Sequence, residues 1–225
     1  MLKNKTFFWR NESLCFPLRS MPTTPQTNST RSSVRSESSW FGTAPALPAF
    51  QPLRENLTTE VVMVGGGISS LTTTYLLSKE GRKVVLLEDG ALASGESGRT
   101  TLHLSNAFGD LEILFGKDGA RLAAESHSAA IDRIEKIVRE ENIDCNFARV
   151  DGYLFLHEEG HARNLHKELA AAHRAGLSLR FPNQSQFHIL KYLRGLAQTI
   201  TKNGGRIFTK THVTAVKGGD EASWF

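Results

Sequence analysis

Residues 61–88 begin as Val61-Val-Met-Val-Gly-Gly-Gly-Ile-Ser-Ser70 and end as Lys83-Val-Val-Leu-Leu-Glu88. A short apolar run leads into a glycine turn, a segment with apolar residues at helical spacing follows, and a second apolar run ends at an acid. This order of strand, tight turn, helix, strand and acid is the arrangement that holds a dinucleotide. The sequence therefore predicts a βαβ unit and, with it, an α/β fold built on a parallel sheet.

The glycine turn and the acid after the second strand are the candidate binding groups. Gly65 permits the turn, Gly67 lets the backbone approach a pyrophosphate, and the helix that starts at Ile68 directs its unpaired N–H groups toward negative charge. Glu88 can accept hydrogen bonds from an adenosine ribose, and it follows the turn at the interval of about 20 residues that such sites show. The alternative is a glycine-rich loop that binds no ligand.

Charge and composition narrow the classes of function. The 225 residues carry a net charge of +4, but residues 1–54 contain seven Lys or Arg against two acids, so the remainder is nearly neutral and gives no argument for nucleic-acid binding. No apolar run reaches the ~20 residues that span a bilayer. Cys15 and Cys145 lie far apart and form no CxxC pair, which indicates a reducing compartment and no cysteine-based metal site.

The first 50 residues are predicted to form a disordered tail, because residues 20–45 are rich in Ser, Thr and Pro. Because the cysteine usage indicates a reducing compartment, a cytoplasmic location is expected. Residues 1–20 are basic and nearly free of acids, so a mitochondrial transit peptide is the alternative.

Hydrophobic periodicity outlines the remaining elements. The predicted helices cover residues 68–79, 118–141, 161–175 and 188–202. The predicted strands cover residues 57–64, 84–87, parts of 147–156, 206–209 and 212–216.

A larger set of ordered segments carries a family resemblance. These segments are Val61-Val-Met-Val-Gly-Gly-Gly-Ile68, Leu71-Thr-Thr-Thr-Tyr-Leu-Leu77, Glu88, Gly95-Glu-Ser-Gly-Arg-Thr-Thr-Leu-His-Leu104, Glu125-Ser-His-Ser-Ala-Ala-Ile-Asp132, Arg149-Val-Asp-Gly-Tyr-Leu154, Phe181-Pro-Asn-Gln-Ser-Gln-Phe-His188 and Gly204-Gly-Arg-Ile-Phe208. Together they resemble the D-amino-acid oxidase-like family of FAD-dependent oxidoreductases, in the branch that has a C-terminal Rieske iron–sulfur domain. The resemblance selects FAD over NAD as the cofactor.

The resemblance also implies a division into domains. An incomplete Rossmann-like FAD/NAD(P)-binding domain is expected in residues 51–110 and 188–218, and the start of an α+β substrate domain in residues 111–187. Residues 219–225 do not resemble the family continuation. The later glycine-rich segment of the flavin site and the Rieske ligands are not found, so the chain is expected to be a truncated, N-terminal part of such a protein.

Cofactor contacts follow from the same resemblance. The polar loop of residues 94–101 would pass the phosphates, with Arg99 as a fixed cation, and Val213 would lie where the backbone meets the adenine. The expected FAD-binding residues are Gly65, Gly66, Gly67, Ile68, Ser69, Glu88, Asp89, Gly98, Arg99, Thr100, Thr101 and Val213. No catalytic residue is assigned. His103 lies in the region where some amine dehydrogenases of similar fold tether flavin, but it does not match that motif.

The implied function is oxidation of the C–N bond of a small amine or amino acid, with hydride transfer to the flavin. Two alternatives stay open: a fragment that binds FAD or ADP without turnover, and an NAD-dependent dehydrogenase. Glu88 disfavours the 2′-phosphate of NADP.

Overall fold

The computed structural model describes residues 38–106, 111–153, 166–167, 170 and 180–216. The elements are α1 (Ser39–Thr43), β1 (Val61–Val64), α2 (Ile68–Lys79), β2 (Val84–Leu87), a single 3-10 turn (Glu96–Gly98), β3 (His103–Leu104), α3 (Leu111–Glu140), β4 (Ala148–Tyr153), β5 (Arg180–Gln186), α4 (Ile189–Lys202) and β6 (Arg206–Phe208). Among these helices none is long and apolar enough to cross a membrane. The predicted helix at 161–175 lies almost wholly outside the described residues, and the expected tail at 219–225 lies entirely outside them.

The first compact unit contains the described residues 38–42, 46–98 and 196–216. Its sheet is parallel and has the order β1-β2-β6. All four residues of the central strand β2 are buried, as expected for a continuous apolar run between two neighbouring strands. The predicted bounds of α2 and β2 agree with the structure, and the predicted α/β class with its Rossmann-like βαβ unit is confirmed.

Helix α2 ends just before Gly81, whose backbone can adopt the positive φ that turns the chain. Gly81 has a φ of +76°, the left-handed conformation that commonly closes a helix. The N–H of Arg82 donates to the carbonyl of Leu77 at 3.0 Å and completes the cap. The buried face of α2 carries Leu71 and Tyr75, both 0% exposed and both in the predicted apolar pattern, together with Thr74 and Ser78. The other two predicted positions, Ile68 and Leu76, are only half-buried.

Two long-range hydrogen bonds join the segment before β1 to the segment after β6. The Thr209 hydroxyl donates to the Phe50 carbonyl at 2.6 Å, and the Leu53 N–H donates to the Thr211 hydroxyl at 3.0 Å. Helix α1 lies inside the segment predicted to be disordered. The predicted tail therefore extends too far toward residue 50.

The predicted strand at 212–216 is wrong, because residues 211–216 have no regular structure. The chain leaves the sheet directly after β6. Lys210 has a φ of +51° and donates its N–H to the Gly90 carbonyl at 3.1 Å, which turns the chain toward the end of β2. An alternating sequence forms a strand only where a partner strand lies in register with it.

The second compact unit contains residues 43–45 and the described parts of 99–195. Its sheet is antiparallel with the order β3-β5-β4. The central strand β5 was not among the predicted strands. It contains Pro182 and an Asn183 with a φ of 62°, both of which are unusual inside a strand. Helix α3 begins at Leu111, earlier than predicted, and a φ of 66° at Gly116 interrupts its helical geometry.

Helix α4 contributes residues to both units, with the division after Gly195. Its apolar face agrees with the predicted pattern, and Leu193, Leu196 and Ile200 are each 0% exposed. At Gly195 an added Cβ would come within 2.7 Å of the Ile143 side chain, so the close packing of α4 there depends on the missing side chain.

The exposed fraction of a leucine side chain predicts how much a Leu→Ala substitution lowers the free energy of unfolding. Leu86→Ala deletes a side chain that is 0% exposed in the central strand β2, whereas Leu122→Ala makes the same change at a position that is 65% exposed. We expect Leu86→Ala to lower the free energy of unfolding by about 2–5 kcal/mol and Leu122→Ala to change it by about 0.5 kcal/mol or less. Urea titrations followed by circular dichroism measure both, and equal midpoints would contradict the assigned core.

Candidate nucleotide-binding site

The glycine turn after β1 leaves no room for side chains. Gly65 has a φ of +104°, and its N–H donates to the Leu87 carbonyl at 2.8 Å, so the turn is tied to the end of β2. A Cβ on Gly66 would lie 2.8 Å from Leu92 Cδ2 and 3.0 Å from Glu88 Oε2. The turn is therefore packed tightly against the acid that follows β2.

The Glu88 carboxylate joins two backbone turns. One oxygen, Oε2, accepts a short hydrogen bond from the Gly66 N–H, and Oε1 accepts one from the Gly90 N–H at 2.8 Å. Glu88 is half-buried, and each carboxylate oxygen has a second lone pair. Glu88 can thus bind its own backbone and accept a hydroxyl from a ligand as well.

At the N-terminus of α2 one backbone N–H donates to the hydroxyl of a residue outside the helix. Gly67 occupies the N-cap position and makes no side-chain cap hydrogen bond. The Ile68 N–H donates to Ser97 Oγ at 3.0 Å, and Ser69 is exposed. An oxygen acceptor at this place has the same chemistry as a phosphate oxygen at a helix N-terminus.

Ser97 is the residue that sequence reasoning missed. It lies 29 residues from Ile68 in the chain, and no spacing rule connects the two. The available signal was its place in the polar loop, directly before Gly98, which was expected to contact the cofactor.

The loop after β2 folds back onto the glycine turn. The Ala93 N–H donates to the Gly66 carbonyl at 3.0 Å, and Ala93 has a φ of +59°. A Cβ on Gly98 would lie 2.5 Å from the Ala93 carbonyl oxygen and 2.8 Å from Phe41 Cζ. Gly98 is thus required by close packing within the first unit.

Asp89 and Val213 lie next to the Glu88 turn. Asp89 Oδ1 is 3.2 Å from Nδ1 of His212, and both side chains are largely exposed. The Thr211 N–H donates to the Glu88 carbonyl at 2.9 Å, which guides the segment containing the half-buried Val213 past the end of β2.

Three of the expected residues, Arg99, Thr100 and Thr101, belong to the second unit. Thr100 Oγ1 accepts the Leu102 N–H at 3.3 Å, and Arg99 and Thr101 are exposed. Their contact with the cofactor phosphates stays a prediction.

His188 is fixed by local contacts in the second unit. Its Nε2 is 3.1 Å from Thr43 Oγ1, and its N–H donates to the Cys145 carbonyl at 2.7 Å. Burial, with a smaller contribution from the charge of Lys191, lowers the pKa of His188 below its ordinary value. Burial also raises the pKa of the Cys145 thiol to about 11, which makes it a poor nucleophile.

Comparison of the sequence with protein families matches residues 60–224 to the FAD dependent oxidoreductase family, DAO. The matched residues extend into the segment 219–225, which was expected to lie outside the resemblance. The chain is 33% identical over 201 residues to YhfW of Bacillus subtilis, whose name describes a Rieske 2Fe-2S iron–sulfur protein; the match covers 80% of this chain and 40% of YhfW.

A second relative is the gamma-glutamylputrescine oxidoreductase of Escherichia coli, 27% identical over 194 residues that cover 75% of this chain and 45% of the relative. The chain thus spans less than half the length of these two relatives.

Solved structures share the fold. L-Amino acid deaminase from Proteus myxofaciens aligns with a TM-score of 0.61 and 17% identity, covering 83% of this chain and 45% of the deaminase. Glycine oxidase from Geobacillus kaustophilus aligns with a TM-score of 0.53 and 18% identity, covering 68% of this chain and 46% of the oxidase.

The packing of Gly66 predicts a specific loss of nucleotide binding. In Gly66→Ala the new methyl group collides with Leu92 and Glu88 and displaces the carboxylate. If the displaced carboxylate loses its proposed charge-assisted hydrogen bond to the ribose, worth about 1.5–3 kcal/mol, the ADP dissociation constant measured by titration calorimetry is expected to rise roughly 10- to 100-fold. Gly42→Ala is the matched control, since nothing lies within 4 Å of its Cβ and it lies outside the expected site. Equal affinity of the two variants would contradict the site.

Proposed function

Because the chain belongs to the FAD-dependent oxidoreductase family, we propose that it binds FAD and holds the ADP half of this cofactor on the β1–α2–β2 unit. Family membership implies a flavin cofactor. Family membership carries the choice of FAD, and the observation that carries binding of the ADP half is the Glu88 carboxylate, fixed by the N–H groups of Gly66 and Gly90 beside the N-terminus of α2.

The residues of the first unit fit the two parts of ADP. Glu88 has lone pairs for the ribose hydroxyls. The N–H groups of Ile68 and Ser69 would bind the pyrophosphate, with the hydroxyl of Ser97 moving aside or sharing an N–H. The backbone near Val213 would border the adenine. In the second unit, Arg99, Thr100 and Thr101 would contact the phosphates or the flavin end.

We further propose an amine or an amino acid as the substrate class, with oxidation at the C–N bond. The name of the E. coli relative, an oxidoreductase of an amine, supports this class. Flavin, when bound, supplies the hydride acceptor for such a reaction. The role of the described residues in the first unit is to bind and orient the adenine, ribose and pyrophosphate groups. A cytoplasmic location and a single small-molecule substrate are part of the same proposal.

A second candidate is a nucleotide-binding fragment without turnover. The observation that favours it is that the groups fixed in the first unit, Glu88 and the N-terminus of α2, suit the ADP half of the cofactor rather than the reacting flavin ring. Mixing the FAD-loaded chain with a primary amine without oxygen separates the two functions. Bleaching of the visible flavin bands supports the oxidoreductase, whereas unchanged bands support the fragment. An NAD-dependent dehydrogenase would instead bind NADH and remain colourless.

Glu88→Gln tests the cofactor assignment. An amide cannot accept both the Gly66 and the Gly90 N–H, because one of its two ends is a donor. We expect the dissociation constant of FAD to rise roughly 10- to 100-fold, measured by the flavin absorbance that the chain retains after desalting. Glu80→Gln, which alters an exposed carboxylate at the end of α2, is the control. FAD retention that is the same in both variants would contradict the proposal.

A further inference from the structure

Strand β5 presents its side chains alternately to α3 and to the opposite face of its sheet. Ser185 lies opposite Arg149 of β4, and the Arg149 guanidinium binds Glu135 of α3, with Nε 2.8 Å from Oε2. Since successive side chains of a strand point to opposite faces, Gln184 faces away from α3. This face contains a polar cluster that none of the cofactor contacts uses.

Gln184 holds the ring of His103 on that face. His103 Nε2 is 2.5 Å from Gln184 Oε1. A carbonyl oxygen only accepts hydrogen bonds, so this contact requires the proton on Nε2 and leaves Nδ1 of the neutral ring as an acceptor. Gln184 is 2% exposed, whereas His103 is exposed. Among the described residues, Nδ1 of His103 has no hydrogen-bond partner.

The side-chain amide of Gln184 packs directly against the backbone of Gly152. A Cβ on Gly152 would come within 2.5 Å of both the oxygen and the nitrogen of this amide. The strand pairing between β4 and β5 is irregular at this place, between Val150 and Gly152. Such irregularities re-aim side chains near functional sites, and here the irregularity places the bare backbone of Gly152 beneath the amide.

Arg149 anchors the residue that precedes Gln184. Its Nη1 donates to the Asn183 carbonyl at 2.7 Å, and its Nη2 donates to Asp132 Oδ1 at 2.6 Å. Burial opposes the charge of Arg149, but the hydrogen bonds that the guanidinium donates to Asp132 and Glu135 outweigh it and raise the pKa of Arg149. A permanently charged anchor therefore fixes the backbone from which Gln184 projects.

We propose that Gln184, seated on Gly152, fixes His103 in its Nε2–H tautomer and so presents Nδ1 as the proton acceptor for the amino group of the substrate. The substrate class rests on the proposed function. A proton leaves the nitrogen of the ammonium form, the Nδ1 lone pair forms the new N–H bond, and the amine retains the electron pair. The neutral amine is the form whose lone pair can stabilise the carbon that loses hydride. Gln184 and Gly152 are positioning residues.

The tautomer is measured directly on the full 225-residue chain labelled with ¹⁵N-histidine, using two-bond ¹H–¹⁵N correlation spectra. His103→Gln identifies the resonances of His103. We expect the wild-type chain to show the Nε2–H form of His103, and Gln184→Leu to show a mixture of both tautomers. Gln186→Leu is the matched control, since Gln186 lies opposite His103 in the same strand pair but does not bind its ring. An Nδ1–H form in the wild-type chain would overturn the inference.

Gly152→Ala is expected to give the same mixture as Gln184→Leu, because its methyl group displaces the amide. If Gly152→Ala fails to fold, Gln184→Leu carries the test alone, since it removes the contact without adding volume to the strand pair.

Ligand binding is tested with two probes, glycine and butylamine, added to the chain with and without FAD. We expect either probe to shift the Nδ1 resonance of His103 in the wild-type chain and in Gln186→Leu, and to shift it less in Gln184→Leu. No shift with either probe would overturn the role as acceptor. Flavin absorbance of the same samples separates the two proposals. A chain that retains FAD without a response at His103 refutes only this inference, and a chain that responds without retaining FAD refutes only the cofactor assignment.

Discussion

The first unit depends on the two hydrogen bonds that the Glu88 carboxylate accepts from the backbone. The carboxylate accepts the N–H groups of Gly66 and Gly90, and so it ties the turn after β1 to the turn after β2. Charge-assisted bonds of this kind contribute about 1.5–3 kcal/mol each. A half-buried acid without them would be costly to desolvate. The same two bonds that satisfy the charge also orient its remaining lone pairs, so in the proposed site one interaction would serve both the stability of the turns and the contact with the ligand.

Sequence reasoning predicted the first unit well because its signals are local. The bounds of α2 and β2 follow from periodicity and from Gly81, and neither depends on distant residues. The contact between Ser97 and Ile68 could not be predicted, since it joins residues far apart in the chain. The strand expected at 212–216 failed for a related reason: alternation describes a side-chain pattern, whereas a strand also needs a partner, and Lys210 turns the chain away from the sheet.

In the second unit, local sequence signals failed to predict the central strand. Its central strand β5 contains Pro182 and an Asn183 with positive φ, so every local rule argues against a strand there. The strand is paired with β3 and β4, and Arg149 adds a link by donating both to the Asn183 carbonyl and to carboxylates of α3. The Arg149 guanidinium thereby stabilises a segment whose own residues have low strand propensity. This contact joins residues far apart in the chain, so it could not be predicted from the sequence.

The division of the chain also determines the order in which the protein can be assembled. Strand β2 lies between β1, which precedes it, and β6, which follows the whole second unit in the sequence. On the ribosome, one side of β2 therefore waits for residues 206–208 while more than a hundred further residues are synthesised. The bond from Thr209 to Phe50 joins residues 159 positions apart, so it can form only after Thr209 has been synthesised. During that interval the edge of β2 that later pairs with β6 exposes unpaired backbone N–H and C=O groups, to which a strand of another chain can add, so the time taken to synthesise the second unit sets how long that edge stays open.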